Sequence, residues 1–186
     1  MRVIAGTFRG RRLKAPDWEG LRPTSDRLRE TLFNILAPRI AGARVLDGYA
    51  GTGAVGIEAL SRGAAHVTFV EQDRRASALI AANLQALGVT NRYAIIRAGF
   101  AGATRQLAER FQVIFLDPPY GAAQLNEAVA AAAPLVGGDT LLIVEHGARD
   151  AAPETTAGLV RTRELRQGDS ALAFYECSTP PMNNDH

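Results

Sequence analysis

From residue 43 onward, short apolar runs alternate with longer stretches in which alanine and leucine recur at helical spacing. Residues 43–46, 67–70, 94–96, 113–116 and 141–144 are near-continuous apolar segments, and each predicts a buried strand. Between them, residues 54–61, 73–87, 104–110 and 124–133 predict helices, with Asp73 as N-cap and Gly88 just past the end of the longest. Strands without a polar face, separated by helices, imply an α/β fold with a parallel sheet covered on both sides. The pattern then changes. Residues 159–165 and 171–177 flank Gly168-Asp169, a turn signal, so the sheet should close with a C-terminal antiparallel hairpin.

Ahead of the sheet, residues 2–5 and 11–13 are expected to pair as a small hairpin across Gly6 to Gly10. Thr24 or Ser25 then caps a helix to about Leu36, with Leu28, Leu32, Ile35 and Leu36 on one face, and Pro38 is expected to end it. The expected organisation is a basic extension over residues 1–40, a sheet domain over 41–177 and a flexible tail over 178–186.

Composition narrows the class. A length of 186 residues suits one domain, and 47% apolar against 22% charged residues argues against a disordered chain. The single cysteine, Cys177, excludes an internal disulfide, and His66, His146 and His186 lack ligand spacing, so no metal is expected. No apolar run approaches the ~18 residues of a membrane span, and the start is too short and polar for a signal peptide. A soluble, cytoplasmic, monomeric protein is expected.

The charge is uneven. Residues 1–44 carry ten basic and four acidic groups, so the rest, from totals of 21 and 19, hold 11 and 15. All the cations but Lys14 are arginine, which binds phosphate bidentately and stacks on bases. A basic arm on a mildly acidic body points to a polyanionic partner, nucleic acid above all. Charge alone fits a solvated arginine-rich surface equally well.

The segment Asp47-Gly48-Tyr49-Ala50-Gly51-Thr52-Gly53-Ala54-Val55-Gly56 follows the first strand and opens a helix. Its glycines permit a tight turn and close backbone approach, and the helix start offers free amides. Glu71, at the end of the second strand, is where a carboxylate accepts from ribose hydroxyls. Two ligand classes compete. A dinucleotide would bring a pyrophosphate against Asp47, which repels it; the cationic S-adenosylmethionine suits an acid there. A glycine-rich turn that merely packs closely is the plain alternative.

Asp117-Pro118-Pro119-Tyr120 ends the fourth strand, where ligands of open α/β sheets collect. Two prolines fix the backbone and leave carbonyls as acceptors. An acid, a rigid carbonyl and an aromatic ring suit an exocyclic amine on a flat base. Acceptors on both amine hydrogens would favour pyramidal nitrogen, and positioning of this kind can contribute ~7–11 kcal/mol. Tyr120 would stack on the base, worth ~1–3 kcal/mol. Alone, the tetrapeptide also fits a turn in which Tyr120 caps the core.

With these motifs in place, the chain resembles the bacterial RsmD family, 16S rRNA (guanine-N(2)) methyltransferases. The resemblance rests on Arg2-Val3-Ile4-Ala5-Gly6, Gly10-Arg11-Arg12-Leu13, the run from Leu21-Arg22-Pro23-Thr24 to Phe33-Asn34, the loop after Asp47, and Asp117 to Tyr120. It implies a Rossmann-like seven-stranded class I methyltransferase sheet, S-adenosylmethionine as cofactor and 16S ribosomal RNA, free or in an assembling subunit, as partner. Carried over by position, Asp47, Ala50, Gly51 and Gly53 line the cofactor, Glu71 holds its ribose, Gln72 beside it also meets the cofactor, and Asp117 to Tyr120 receive the guanine. Such enzymes often place an acid after the third strand, whereas this chain has Ala98-Gly99-Phe100. Gly99 and Phe100 are then expected to hold the adenine by backbone and apolar contact. Arg9, Arg11, Arg12, Lys14 and Arg22 are the expected RNA contacts. The rival readings are amine methylation in DNA, methylation of a glutamine amide, and an RNA-binding module without catalysis. That last leaves Asp47, Glu71 and the tetrapeptide without a purpose.

Overall fold

The five apolar runs form parallel strands: β1 (Arg44–Asp47), β2 (His66–Val70), β3 (Tyr93–Ile96), β4 (Val113–Leu116) and β5 (Leu141–Gly147). This computed structural model describes residues 1–178; of the expected tail, 179–186 lie outside the described residues. The hairpin of β7 (Leu159–Gln167) and β8 (Ser170–Cys177) joins antiparallel to β5. A two-residue strand, β6 (Thr155–Thr156), borders β7, giving eight strands in the order β3-β2-β1-β4-β5-β8-β7-β6 rather than the expected seven. Two residues carry no periodicity, so the sequence pattern passes over β6.

The interior strands β4 and β5 are buried on both faces, as those of parallel sheets are. Alternation divides their side chains between two cores. Val113 and Phe115 join the core beneath α1 (Asp26–Ile40), α2 (Ala54–Ser61) and α3 (Arg74–Ala86). Ile114 and Leu116 join the opposite core, beneath α4 (Phe100–Thr104) and α5 (Ala122–Ala132).

Two helix expectations are corrected. Pro38 lies inside α1, in its last turn, and the helix runs on to Ile40. Burial of Ile40 offsets the lost donor, and the chain leaves the helix at Ala41, which is extended, before Gly42 turns it at φ +74°. The helix expected over 104–110 instead starts after Gly99 and ends at Thr104. Phe100 and Ala103 supply its buried face, whereas 105–110 offer mostly exposed polar side chains.

The first residues pair as expected across Gly6 to Gly10, as a short irregular hairpin in which Val3 N donates to Arg11 O and Leu13 N to Met1 O, both at 3.0 Å. A single antiparallel bridge joins Arg2 and Arg12, and Glu58 of α2 holds the chain by accepting from Ile4 N (2.9 Å) and Ala5 N (3.0 Å). The segment then runs along α3 against its direction. Lys14 exchanges hydrogen bonds with Asn83, Trp18 lies under the Arg75 guanidinium at 4.9 Å, and Leu21 reaches Gly51. Ser25, not Thr24, caps α1, accepting from Leu28 N at 3.2 Å.

Candidate active site

Strand order reverses between β1 and β4, and the crevice outside their C-terminal ends is where open α/β sheets bind ligands. A cavity of about 550 Å³ lies there, within the ~300–1,000 Å³ range of small-molecule sites. Its floor is the loop after β1. Gly48 is required because a Cβ would stand 2.7 Å from the Phe100 ring. Gly53 begins α2 at φ +77°, and a Cβ there would press on Ile80 at 2.9 Å. Gly51 donates its amide to Glu71 Oε2 at 2.8 Å, and Glu71 Oε1 accepts from Asp73 N at 2.8 Å. One carboxylate thus fixes the glycine loop to the end of β2 and still keeps lone pairs for a ligand.

The acids lie in register. Asp47 pairs with Phe115, and Phe115 with Ile143, so Asp117 and Glu145 stand two residues further along their own strands. Strand alternation gives all three the face that carries α1 to α3. Asp47 accepts from Gly56 N at 3.0 Å with Oδ2, while its buried Oδ1 has no partner. Burial, and secondarily the charge of Glu71, push its carboxyl up to about 8 despite that hydrogen bond. Asp117 is raised well above the carboxylate range by burial first, then by Glu145 and Asp47, with Arg22 opposing. Burial likewise raises Glu145, whose carboxylate accepts from the Thr24 hydroxyl at 3.0 Å.

Most of the expected site residues converge. Arg22, Gly51, Glu71, Gln72, Gly99, Phe100 and the tetrapeptide Asp117 to Tyr120 line the cavity. Asp47 and Ala50 line a smaller recess that shares Arg22, Gly51 and Asp117 with it. Gly53 shapes the loop from behind without lining either space. Tyr120 does not cap the core: it is 59% exposed, the one exposed large apolar side chain among the described residues. Arg9, Arg11, Arg12 and Lys14 line neither space. Arg11 donates to Ala86 O (2.8 Å), at the end of α3 remote from the cavity.

Several lining residues are not among those the sequence singles out as site residues, Leu21, Pro23, Tyr49 and Glu145 among them. Tyr49 packs on Phe100 with ring centroids 5.1 Å apart, and its hydroxyl is pushed up to about 12 by burial and by Glu127. Leu21 and Pro23 close the cavity from the strap that precedes α1. Glu145 lies just past the apolar run, which stops at Val144, and an acid directly after that run is the signal the sequence carries for it.

An acid-lined cavity, with a buried carboxylate oxygen lacking a partner in the adjoining recess, fits a cationic ligand and disfavours a pyrophosphate. Fold and site together define the class: this is the α/β fold of the class I methyltransferases. The chain belongs to the RsmD family, whose model, described as Conserved hypothetical protein 95, matches residues 1–176. It is similar to Ribosomal RNA small subunit methyltransferase D of Escherichia coli K12, 38% identical over 178 residues, covering 95% of this chain and 89% of that one. Among solved structures it is similar to yhhF of Escherichia coli (TM-score 0.84, 37% identity, 95% and 97% of the two chains). A hypothetical protein of Thermus thermophilus, TTHA0928, superposes with TM-score 0.77 at 32% identity, over 95% and 99% of the chains.

Proposed function

We propose that this protein transfers the methyl group of S-adenosylmethionine to the exocyclic 2-amino group of a guanine in small-subunit ribosomal RNA. The observation that carries this reading is the placement of Asp117-Pro118-Pro119-Tyr120 at the mouth of an acid-lined cavity, with Tyr120 exposed. Similarity to a small-subunit ribosomal RNA methyltransferase over nearly the whole chain supports it. In this reading the protein works as a cytoplasmic monomer, and Arg9, Arg11, Arg12, Lys14 and Arg22 meet RNA phosphates.

The cofactor supplies a methyl group made electrophilic by a sulfonium. Glu71 and Gln72 would hold its ribose, Asp47 and Ala50 its amino-acid end, and Gly99 and Phe100 its adenine. Gly51 and Gly53 let the backbone approach. The substrate amine is a poor nucleophile because its lone pair is delocalised into the ring. The Asp117 carboxylate and the Pro118 carbonyl accept its two hydrogens and favour a pyramidal nitrogen. Tyr120 stacks on the base, and the two prolines keep these acceptors from turning away. Methylation makes the nitrogen a four-coordinate cation that must release one of its hydrogens as a proton, and the ionised form of Asp117, whose proton affinity burial raises, would stand beside it to take it.

Single-turnover transfer by Asp117→Asn tests this assignment. We expect a loss of ~10²–10³-fold in rate, as for removal of one acceptor acting in the transition state. Calorimetric titration with S-adenosylhomocysteine should show unchanged affinity. Near-normal turnover would remove Asp117 from the chemistry.

A further inference from the structure

Glu145 is not needed by the reaction just described, yet it occupies a costly position. Its side chain is almost wholly buried at the end of β5, it lines the cavity, and the Thr24 hydroxyl holds one of its oxygens at 3.0 Å. The last registered pair between β4 and β5 is Leu116 with Val144, so Asp117 and Glu145 follow side by side. Neighbouring strands lie about 4.8 Å apart, and side chains at one level share a face. Two carboxylates can therefore converge on adjacent atoms of one base edge.

We propose that Glu145 is the specificity residue for guanine, accepting the ring N1–H while Asp117 accepts the adjoining 2-amino group. This rests on the functional reading above. A flipped base is read along its Watson–Crick edge. There guanine offers two donors side by side, N1–H and the amine. Adenine and cytosine offer an amine beside a ring nitrogen that carries a lone pair. Against that lone pair Glu145 must either remain an unpaired buried carboxylate or first bind a proton to bridge the two, a cost that the N1–H of guanine spares. Asp117 and the prolines serve any amino base; the second carboxylate separates guanine from the others. The N1–H bond to a carboxylate also shifts electron density toward the amine, in the direction the reaction needs. Two donors arriving together further relieve the repulsion between the paired acids, which Arg22 only partly offsets. Thr24, on the strap just before α1, acts as a positioning residue by holding Glu145.

The test replaces the methylated guanine, once mapped, by 2-aminopurine, ligated into the small-subunit RNA and assembled into the particle if the particle is the substrate. 2-Aminopurine keeps the 2-amino group but carries a lone pair at N1. Wild type should prefer guanine by about 10²-fold in kcat/KM, since a well-paired base contact discriminates on that scale. Glu145→Gln, whose amide can present a donor to N1, should reduce that preference at least tenfold, with S-adenosylhomocysteine affinity unchanged. Thr24→Val should reduce the preference in the same direction and decides the matter if Glu145→Gln does not fold. Equal use of both bases by wild type, or a preference unchanged in the variants, overturns the assignment. Failure of wild type to methylate any guanine overturns the functional reading instead.

Discussion

Asp47 serves two ends that conflict. Its Oδ2 anchors Gly56 at the start of α2, while burial leaves Oδ1 without a partner and lifts the carboxyl to about 8. In the free protein the proton stays on through the range where an unfolded aspartate loses its own. The native state then binds more protons than the unfolded one, so stability falls as pH rises from about 3.8 to about 8 and is level above. Asp47→Asn keeps an acceptor for Gly56 and removes the titration. Its melting temperature should exceed that of wild type by a margin that widens across that window, while cofactor affinity falls because the charge is gone. Thermal melts from pH 4 to 9 check this; a constant margin would mean Asp47 is ionised throughout.

At the scale of elements, Glu58 of α2 ties the first residues to the body. It accepts from Ile4 N, Ala5 N and Arg62 Nε, and lies 3.9 Å from the guanidinium of Arg29, which is also fully buried. Arg29 in turn reaches Arg2 O and Asp26, yet its Nε and Nη1 have no hydrogen-bond partner. Glu58→Ala would leave Arg29 with the exposed Asp26 as its counter-charge and would take the acceptor from Ile4 N, Ala5 N and Arg62 Nε. Removal of one partner of a buried pair costs about 3–5 kcal/mol. Denaturant titration should show a loss of that size; a loss below ~1 kcal/mol would mean that water or a moved side chain compensates. Nothing in the sequence singles out Glu58, because one acid on a helix predicts an exposed face. The strands were legible for the opposite reason: an interior parallel strand must be apolar on both faces, and that leaves a continuous run. Asp117 and Asp47 were legible because turn-forming prolines and glycines mark the strand ends next to them. Glu145 and Tyr49 have no such marker, and only the register of β4 with β5 and the packing on Phe100 give them a role. Pro38 misled because the burial of Ile40, a long-range effect, overrides a local preference.

For the whole molecule, the basic arm and the cavity stand at opposite ends of α3. Asp73, its cap, lines the cavity, and Ala86, its last residue, holds Arg11; the 13 residues of the helix span about 20 Å. The arm does not complete the cleft, where Arg22 alone of the five expected RNA contacts resides; in the function proposed above it would extend the footprint on RNA. Replacing Arg9, Arg11, Arg12 and Lys14 by alanine should flatten the slope of log affinity against log salt by roughly 3, at ~0.7 per phosphate contact on single-stranded RNA. Cofactor binding should not change. An unchanged slope in a folded variant would leave the arm a bracing role through its contacts with α2 and α3.

Those separate parts serve one outcome, the transfer of a methyl group to one kind of amine, and the product nucleoside reports it directly. Small-subunit RNA, free and protein-bound, is incubated with wild-type protein and methyl-labelled S-adenosylmethionine, then digested to nucleosides and mapped. The account predicts that the label resides in N2-methylguanosine at a single position. Label in N6-methyladenosine or N4-methylcytidine, or no transfer by protein that binds the cofactor, would contradict it.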